Sequence, residues 1–186
     1  MPLPSYSPQE TAAITGAPLA AIQRAITRQA IPARALGKTG RRQLNETALL
    51  AFALLEALPA EVRLSPATVY NLLREDPQRR DVVLGEVVRI DTAKALEGTR
   101  RRLALYDRAT DVIVKDPAIL GGAPVIKGTR ITAQSILGRL EAGDDVDGIL
   151  EDYPALDRDT LEVAALYAKA NPLRGRPSGK LWPRAS

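Results

Sequence analysis

The chain of 186 residues is 45% hydrophobic and 26% charged, a balance that excludes both an unfolded polymer and a membrane-embedded bundle, and its length suits one large domain or two small ones. It contains no Cys and no His, which excludes disulfide staples, zinc held by thiolate or imidazole, and any nucleophile activated by His; carboxylate-held magnesium is what remains, and neither an enzyme nor a cofactor is expected. The net charge of +4 is unevenly spread, with six basic against three acidic side chains in residues 1–59, ten against nine in 60–112, six against ten in 113–172 and four against none in 173–186, so separate stretches suit separate partners.

The opening Met1-Pro2-Leu3-Pro4-Ser5 lacks the basic-then-apolar pattern of a secretory signal, and no apolar run approaches the roughly 20 residues of a bilayer span. A cytoplasmic, non-membrane protein is expected. Ser7-Pro8-Gln9-Glu10 reads as a helix start: a Ser cap, Pro at the first helical position and Glu three residues after the cap. Gly16 ends that helix. Pro18 opens a second, with Leu19, Ile22 and Ile26 at helical spacing, and Pro32 is expected to stop it. Ala33-Arg34-Ala35-Leu36 and Arg41-Arg42-Gln43-Leu44 then flank Gly37-Lys38-Thr39-Gly40, a hairpin with a loose basic tip, or wing. Asn45 caps a third helix with a broad apolar face of Leu49, Leu50, Phe52, Ala53 and Leu54.

Residues 60–112 read as a connecting module. Ser65-Pro66 starts a helix that Asp76-Pro77 ends, Val82-Val83-Leu84 and Val87-Val88-Arg89-Ile90 form strands, and Asp91 caps a helix running towards Tyr106. In residues 113–172 a strand at Val112-Ile113-Val114 precedes a turn-rich stretch and Pro124-Val125-Ile126. Three helices follow, capped at Thr132, at Asp144 or Asp145, and at Asp157, with Ile136, Ile149 and Leu161 facing inward. The fold expected is mainly α with small β hairpins: an N-terminal winged helix-turn-helix in residues 1–59 and a helix-turn-helix-like three-helix domain in 113–172. The tail, residues 173–186, has too much Pro and Gly to order itself without a partner.

Two features point to DNA. On the second helix Gln23, Arg24, Thr27 and Arg28 lie opposite Leu19, Ile22 and Ile26. Arg bonds guanine through O6 and N7, Gln bonds adenine, and Thr reaches a phosphate or a thymine methyl, as suits a helix in the major groove. Arg24 and Arg28 stand at i and i+4, a repulsive pair that a nearby anion relieves. In the wing, Lys38, Arg41 and Arg42 surround two glycines that let the backbone approach a phosphate strand. Helix, turn, polar-faced helix and basic wing, in that order, favour DNA over a merely solvated surface. One small reading helix contacts few base pairs, so a homodimer on a two-fold site is expected.

The first part resembles the winged helix-turn-helix of MerR-like regulators at Tyr6-Ser7, Ala12, Gly16-Ala17, Ile31-Pro32 and Gly40-Arg41-Arg42, without the long dimerising helix that follows in that family. The last part resembles the domain-of-unknown-function 433 family at Val114, Asp116-Pro117-Ala118-Ile119-Leu120-Gly121-Gly122-Ala123-Pro124-Val125-Ile126-Lys127-Gly128-Thr129-Arg130-Ile131, Ile149-Leu150-Glu151-Asp152-Tyr153-Pro154-Ala155-Leu156 and Ala165-Leu166-Tyr167-Ala168. It departs at Thr132-Ala133, where that family often has Pro-Val. The wider layout, with Ala170-Asn171-Pro172 and Arg174-Gly175-Arg176-Pro177, is similar to VapB-type antitoxins that join the two. That resemblance implies an antitoxin that represses its own operon and pairs with a PIN-like ribonuclease toxin, whose active site is a carboxylate cluster around magnesium. Arg174, Arg176, Lys180 and Arg184 would oppose that site, and Leu181 and Trp182 would anchor in an apolar pocket. A stand-alone transcription regulator is the alternative.

Three features are set aside. Lys127-Gly128-Thr129 has the wrong order for a phosphate loop and suits a turn before a helix. Asp144, Asp145, Asp147, Glu151, Asp152, Asp157 and Asp159 suit first helical turns more than a metal site. Arg100-Arg101-Arg102 reads as a solvated helix face.

Overall fold

In the computed structural model, which describes residues 4–36, 41–59, 61–76, 79–84 and 88–173, local chemistry sets the ends of most helices. Helix α1 (Pro8–Thr15) opens with the reciprocal cap expected, Glu10 N–H donating to Ser7 Oγ at 3.2 Å and Ser7 N–H to Glu10 Oε2 at 2.6 Å. It closes at Gly16, whose φ of 84° is open to glycine without strain. Helix α2 (Leu19–Thr27) stops before Pro32 matters. Gln29 turns left-handed at φ 55° and donates to the Ile26 carbonyl at 3.0 Å, while Ala30 N–H reaches the Ala25 carbonyl at 2.9 Å. That bond pair is the Schellman ending, with Gln where Gly is usual.

Strands β1 (Ser5–Tyr6), β2 (Arg34–Leu36) and β3 (Arg41–Asn45) form an antiparallel sheet in the order β1-β3-β2, with Tyr6 opposite Leu44 and Ala35 opposite Arg42. The hairpin is the one expected; β1 is too short to leave a periodic signal. Asn45 then caps α3 (Glu46–Ala57) by accepting from Ala48 N–H at 2.9 Å. The same device starts α4 (Pro66–Glu75) at Ser65, α5 (Thr92–Asp107) at Asp91, α7 (Ala133–Ala142) at Thr132, α8 (Val146–Asp152) at Asp145 and α9 (Arg158–Ala170) at Asp157. Antiparallel pairs β4 (Asp81–Leu84) with β5 (Val88–Asp91), and β6 (Ile113–Lys115) with β7 (Pro124–Ile126), complete the sheets. A short helix, α6 (Ala109–Val112), leads into β6. The chain is thus mainly helical with small antiparallel sheets.

Two apolar cores hold it. The first gathers Ile22, Ile26, Ile31, Leu44, Phe52 and Leu54, and continues through Val69, Tyr70, Leu73, Val82 and Leu96, so α4, β4 and α5 close over α3. The second gathers Ile113, Ile126, Ile136, Ile149, Leu161 and Ala164 among the C-terminal elements. Between them lies a small cluster of Tyr6, Ile14 and Leu49, covered by Leu103 and Tyr106 of α5.

Helix α5 stitches the halves together, which corrects the reading of a solvated face at Arg102, while Arg100 and Arg101 are exposed as expected. Arg102 is partly buried and donates from Nε to the Ile14 carbonyl at 2.5 Å and from Nη2 to the Thr15 carbonyl at 3.4 Å. Those carbonyls at the end of α1 have no intrahelical partner, and a guanidinium there also meets the negative end of the helix dipole. Arg101, still exposed, pairs with Glu162 of α9 at 3.1 Å. Tyr106 donates to Glu10 Oε1 at 2.7 Å and accepts from Asn171 Nδ2 at 3.3 Å, joining α1, α5 and the end of α9.

Six of the seven acidic residues set aside above, all but Glu151, cap helices or pair with arginines. Asp145 and Asp157 cap helices as expected. Asp144 and Asp152 clamp Arg139 at 2.6 and 2.7 Å, Asp147 holds Arg158 at 2.5 Å, and Asp159 holds Arg108 at 2.7 Å. Thr129 Oγ1 donates to the Ile126 carbonyl and accepts from Ile131 N–H, so the Lys127-Gly128-Thr129 stretch is the turn that leads into α7.

Candidate nucleic-acid interface

Helix α2 is divided cleanly. Ile22, Ala25 and Ile26 are buried, while Gln23, Arg24, Thr27 and, at the C-cap, Arg28 are exposed. The apolar face seats the helix in the first core beside α1 and leaves the polar one to solvent. In the hairpin Arg34 stands opposite Gln43 and Leu36 opposite Arg41. The pleat therefore puts Arg34, Gln43 and Arg41 on one face, and Arg42 with the buried Leu44 on the other.

Arg42 lies between two depressions. With Ile26, Thr27, Ile31 and Pro32 it bounds a groove of about 480 Å³ at the end of α2. With Gln23 and Arg41 it also lines a larger cleft of about 730 Å³, whose far side is Lys115, Gln134, Tyr167 and Asn171 of the C-terminal elements. The structure thus brings together Gln23, Arg41 and Arg42 in one cleft and Thr27 and Arg42 in the other groove. Arg24 and Arg28 stay on the exposed face and line neither. Lys38, and the tail residues Arg174, Arg176, Lys180, Leu181, Trp182 and Arg184, lie outside the described residues.

The charges on this side are unspent. Among the described residues the ion pairs take Arg89, Arg101, Arg108, Arg139 and Arg158, and none involves Arg24, Arg28, Arg34, Arg41, Arg42 or Lys115. The carboxylate on the rim of the cleft, Glu10, already accepts from Ser7 N–H and Tyr106 Oη–H. Burial raises the Tyr106 phenol, and its bond to Glu10 raises it further. Burial, with the fields of Asp107, Glu46 and Glu10, pushes Tyr6 up to about 12. Both phenols are neutral at physiological pH, so the residues lining the cleft carry three cations, Arg41, Arg42 and Lys115, against the single carboxylate of Glu10. The Lys115 ammonium stands 5.7 Å from the centroid of the Tyr167 ring.

Sequence reasoning missed Arg34, Lys115 and Gln134. Arg34 was legible as a strand residue facing Gln43. Nothing local ties Lys115 or Gln134 to a hairpin far earlier in the chain. Among the described residues no group of three or more acidic side chains is placed to hold a metal, and no helix is long and apolar enough to cross a membrane.

Residues 113–168 match the family described as "Protein of unknown function (DUF433)", so a domain of that family occupies the second core. Uncharacterized protein y4eO of Sinorhizobium fredii (strain NBRC 101917 / NGR234) is 36% identical over 139 residues, covering 75% of this chain and 60% of that protein. The chain therefore spans less than two thirds of that relative's length. The crystal structure of Rv2018 from Mycobacterium tuberculosis aligns over 86% of this chain and 96% of that one at 16% identity with a TM-score of 0.33, a likeness too low to carry an argument.

Proposed function

We propose that the protein is a DNA-binding regulator whose N-terminal part acts as a winged helix-turn-helix, and that it serves as the antitoxin of a toxin–antitoxin pair, holding a PIN-like ribonuclease toxin. The observation that carries the DNA reading is the exposed face of α2, with Gln23, Arg24, Thr27 and Arg28 backed by unpaired Arg41 and Arg42 on the neighbouring hairpin. A helix whose apolar side is fixed in a core and whose free side holds Arg and Gln is suited to base edges, and unpaired arginines beside it are suited to phosphates. The antitoxin reading is supported by the resemblance described above and by the four basic, carboxylate-free residues of the tail.

Two assays test the two halves separately. In gel shifts the chain binds its own promoter more tightly than unrelated duplex, and footprints show half-sites repeated one or two helical turns apart, as a homodimer requires. Coexpression with the adjacent gene product relieves growth arrest. Promoter binding without relief leaves a stand-alone regulator; relief without promoter binding removes the DNA assignment.

A further inference from the structure

The large cleft joins the hairpin of the N-terminal part to a wall built by the C-terminal domain. We propose that this cleft carries a phosphate strand, so that the C-terminal domain, through Lys115, grips the same DNA that α2 reads. This rests on the DNA-binding reading above and goes beyond it, because it gives the domain of unknown function a direct role on the nucleic acid.

Three observations carry it. The residues lining the cleft are weighted towards cations and donors: Arg41 and Arg42 of the hairpin, which stand on opposite faces of its pleat, Lys115 of the C-terminal domain, and Gln23 of the reading helix. Among the described residues Arg41, Arg42 and Lys115 have no ion-pair partner, so they repel one another within the cleft, and a polyanion there removes that repulsion. The one acid among the lining residues, Glu10, is hydrogen-bonded to Ser7 and Tyr106, makes no ion pair among the described residues, and offsets only part of the charge of Arg41, Arg42 and Lys115.

The wall is also braced. Gln134 Nε2 donates to the Asn171 carbonyl at 3.1 Å, Gln9 Nε2 approaches the Lys169 carbonyl at 3.5 Å, and Asn171 Nδ2 bonds the Tyr106 hydroxyl. These bonds tie the end of α9, which carries the Tyr167 ring under Lys115, to α1 and α5, and α1 is followed by the reading helix after the turn at Gly16. The Lys115 ammonium stands over the Tyr167 ring, which limits the conformations it gives up on binding. The cleft is continuous with the reading face through Gln23, which favours duplex DNA over an acidic protein as its occupant.

The test uses the full chain and labelled duplexes of promoter and unrelated sequence, titrated by fluorescence anisotropy at several salt concentrations. Lys115→Ala weakens both duplexes alike and makes the logarithmic salt dependence shallower by about one. Lys115→Arg retains parental binding and Lys115→Glu weakens it further. Because the chain has no Cys, Lys115→Cys carrying a photo-crosslinker reports the location independently of affinity, and a duplex adduct is expected. Parental affinity and salt slope in Lys115→Ala and Lys115→Glu, with binding lost in Arg41→Ala, overturn the cleft as a strand path while leaving DNA binding intact. An adduct with a protein partner but none with duplex overturns it equally. If the parent chain binds neither duplex, the DNA reading fails and the cleft proposal falls with it.

Discussion

Gln29 holds φ at 55° to end α2, a conformation that costs a residue with a Cβ about 1 kcal/mol relative to glycine. Gln29→Gly is expected to raise unfolding stability by roughly 0.5–1 kcal/mol, read as a higher urea midpoint with unchanged slope. Tyr6 and Tyr106 make a second point at this scale. Both phenols are raised above their ordinary value of 10.0 in the fold, Tyr6 to about 12. The unfolded chain therefore loses these protons first as pH rises. Their contribution is complete below about pH 10 and disappears as pH climbs through the folded values. Urea unfolding at pH 8 to 11.5 should show stability falling above about pH 10, and the Tyr6→Phe, Tyr106→Phe double variant should show a shallower fall. An equally steep fall in the double variant would place the alkaline transition elsewhere.

Helix α2 and the hairpin act as a unit because the turn after Gln29 and the burial of Ile31 set their angle. On the DNA-binding proposal, base and phosphate contacts within that unit separate by chemistry. Arg24→Ala or Arg28→Ala is expected to cost about 1–3 kcal/mol on the preferred site and to narrow the gap between preferred and unrelated sequences. Lys38→Ala should weaken all sequences alike and reduce the salt slope. Gel shifts over a salt series distinguish the two patterns, and parental specificity in both arginine variants would remove α2 as the reader. Helix α5 has a different job at this scale, since Arg102 satisfies the orphan carbonyls of α1. Arg102→Met should cost about 1.5–3 kcal/mol through loss of a charged hydrogen bond, measured by urea unfolding.

At the scale of the whole molecule, charge separates the acidic C-terminal stretch of residues 113–172 from the basic residues that follow it. In the folded part much of that acidity is spent in helix caps and in pairs with Arg108, Arg139 and Arg158, which leaves little of it to attract the tail. On the antitoxin proposal, the basic residues that follow Pro172 are the part offered to the toxin. A chain ending at Pro172 is therefore expected to shift promoter DNA as the full chain does but to lose protection against the coexpressed toxin, with Arg176→Ala and Trp182→Ala intermediate. Full protection by the shortened chain would move the toxin-holding surface onto the folded domain.

Local chemistry was legible in the sequence wherever one residue satisfies its near neighbours. Ser7, Asn45, Ser65, Asp91, Thr132, Asp145 and Asp157 announce helix starts because their side chains bond an N–H three residues on, and the split face of α2 follows from a period of 3.6 residues. The exposure of Gln23, Arg24, Thr27 and Arg28 followed from the same arithmetic. Tertiary structure decided what depends on distant partners. β1 exists because Tyr6 finds Leu44, Arg102 is partly buried because α1 presents bare carbonyls to α5, and Lys115 comes to line one cleft with Arg41 and Arg42 as α9 packs on α1. A single sequence records which side a residue faces on its own helix or strand, but not which remote surface the fold sets across from it.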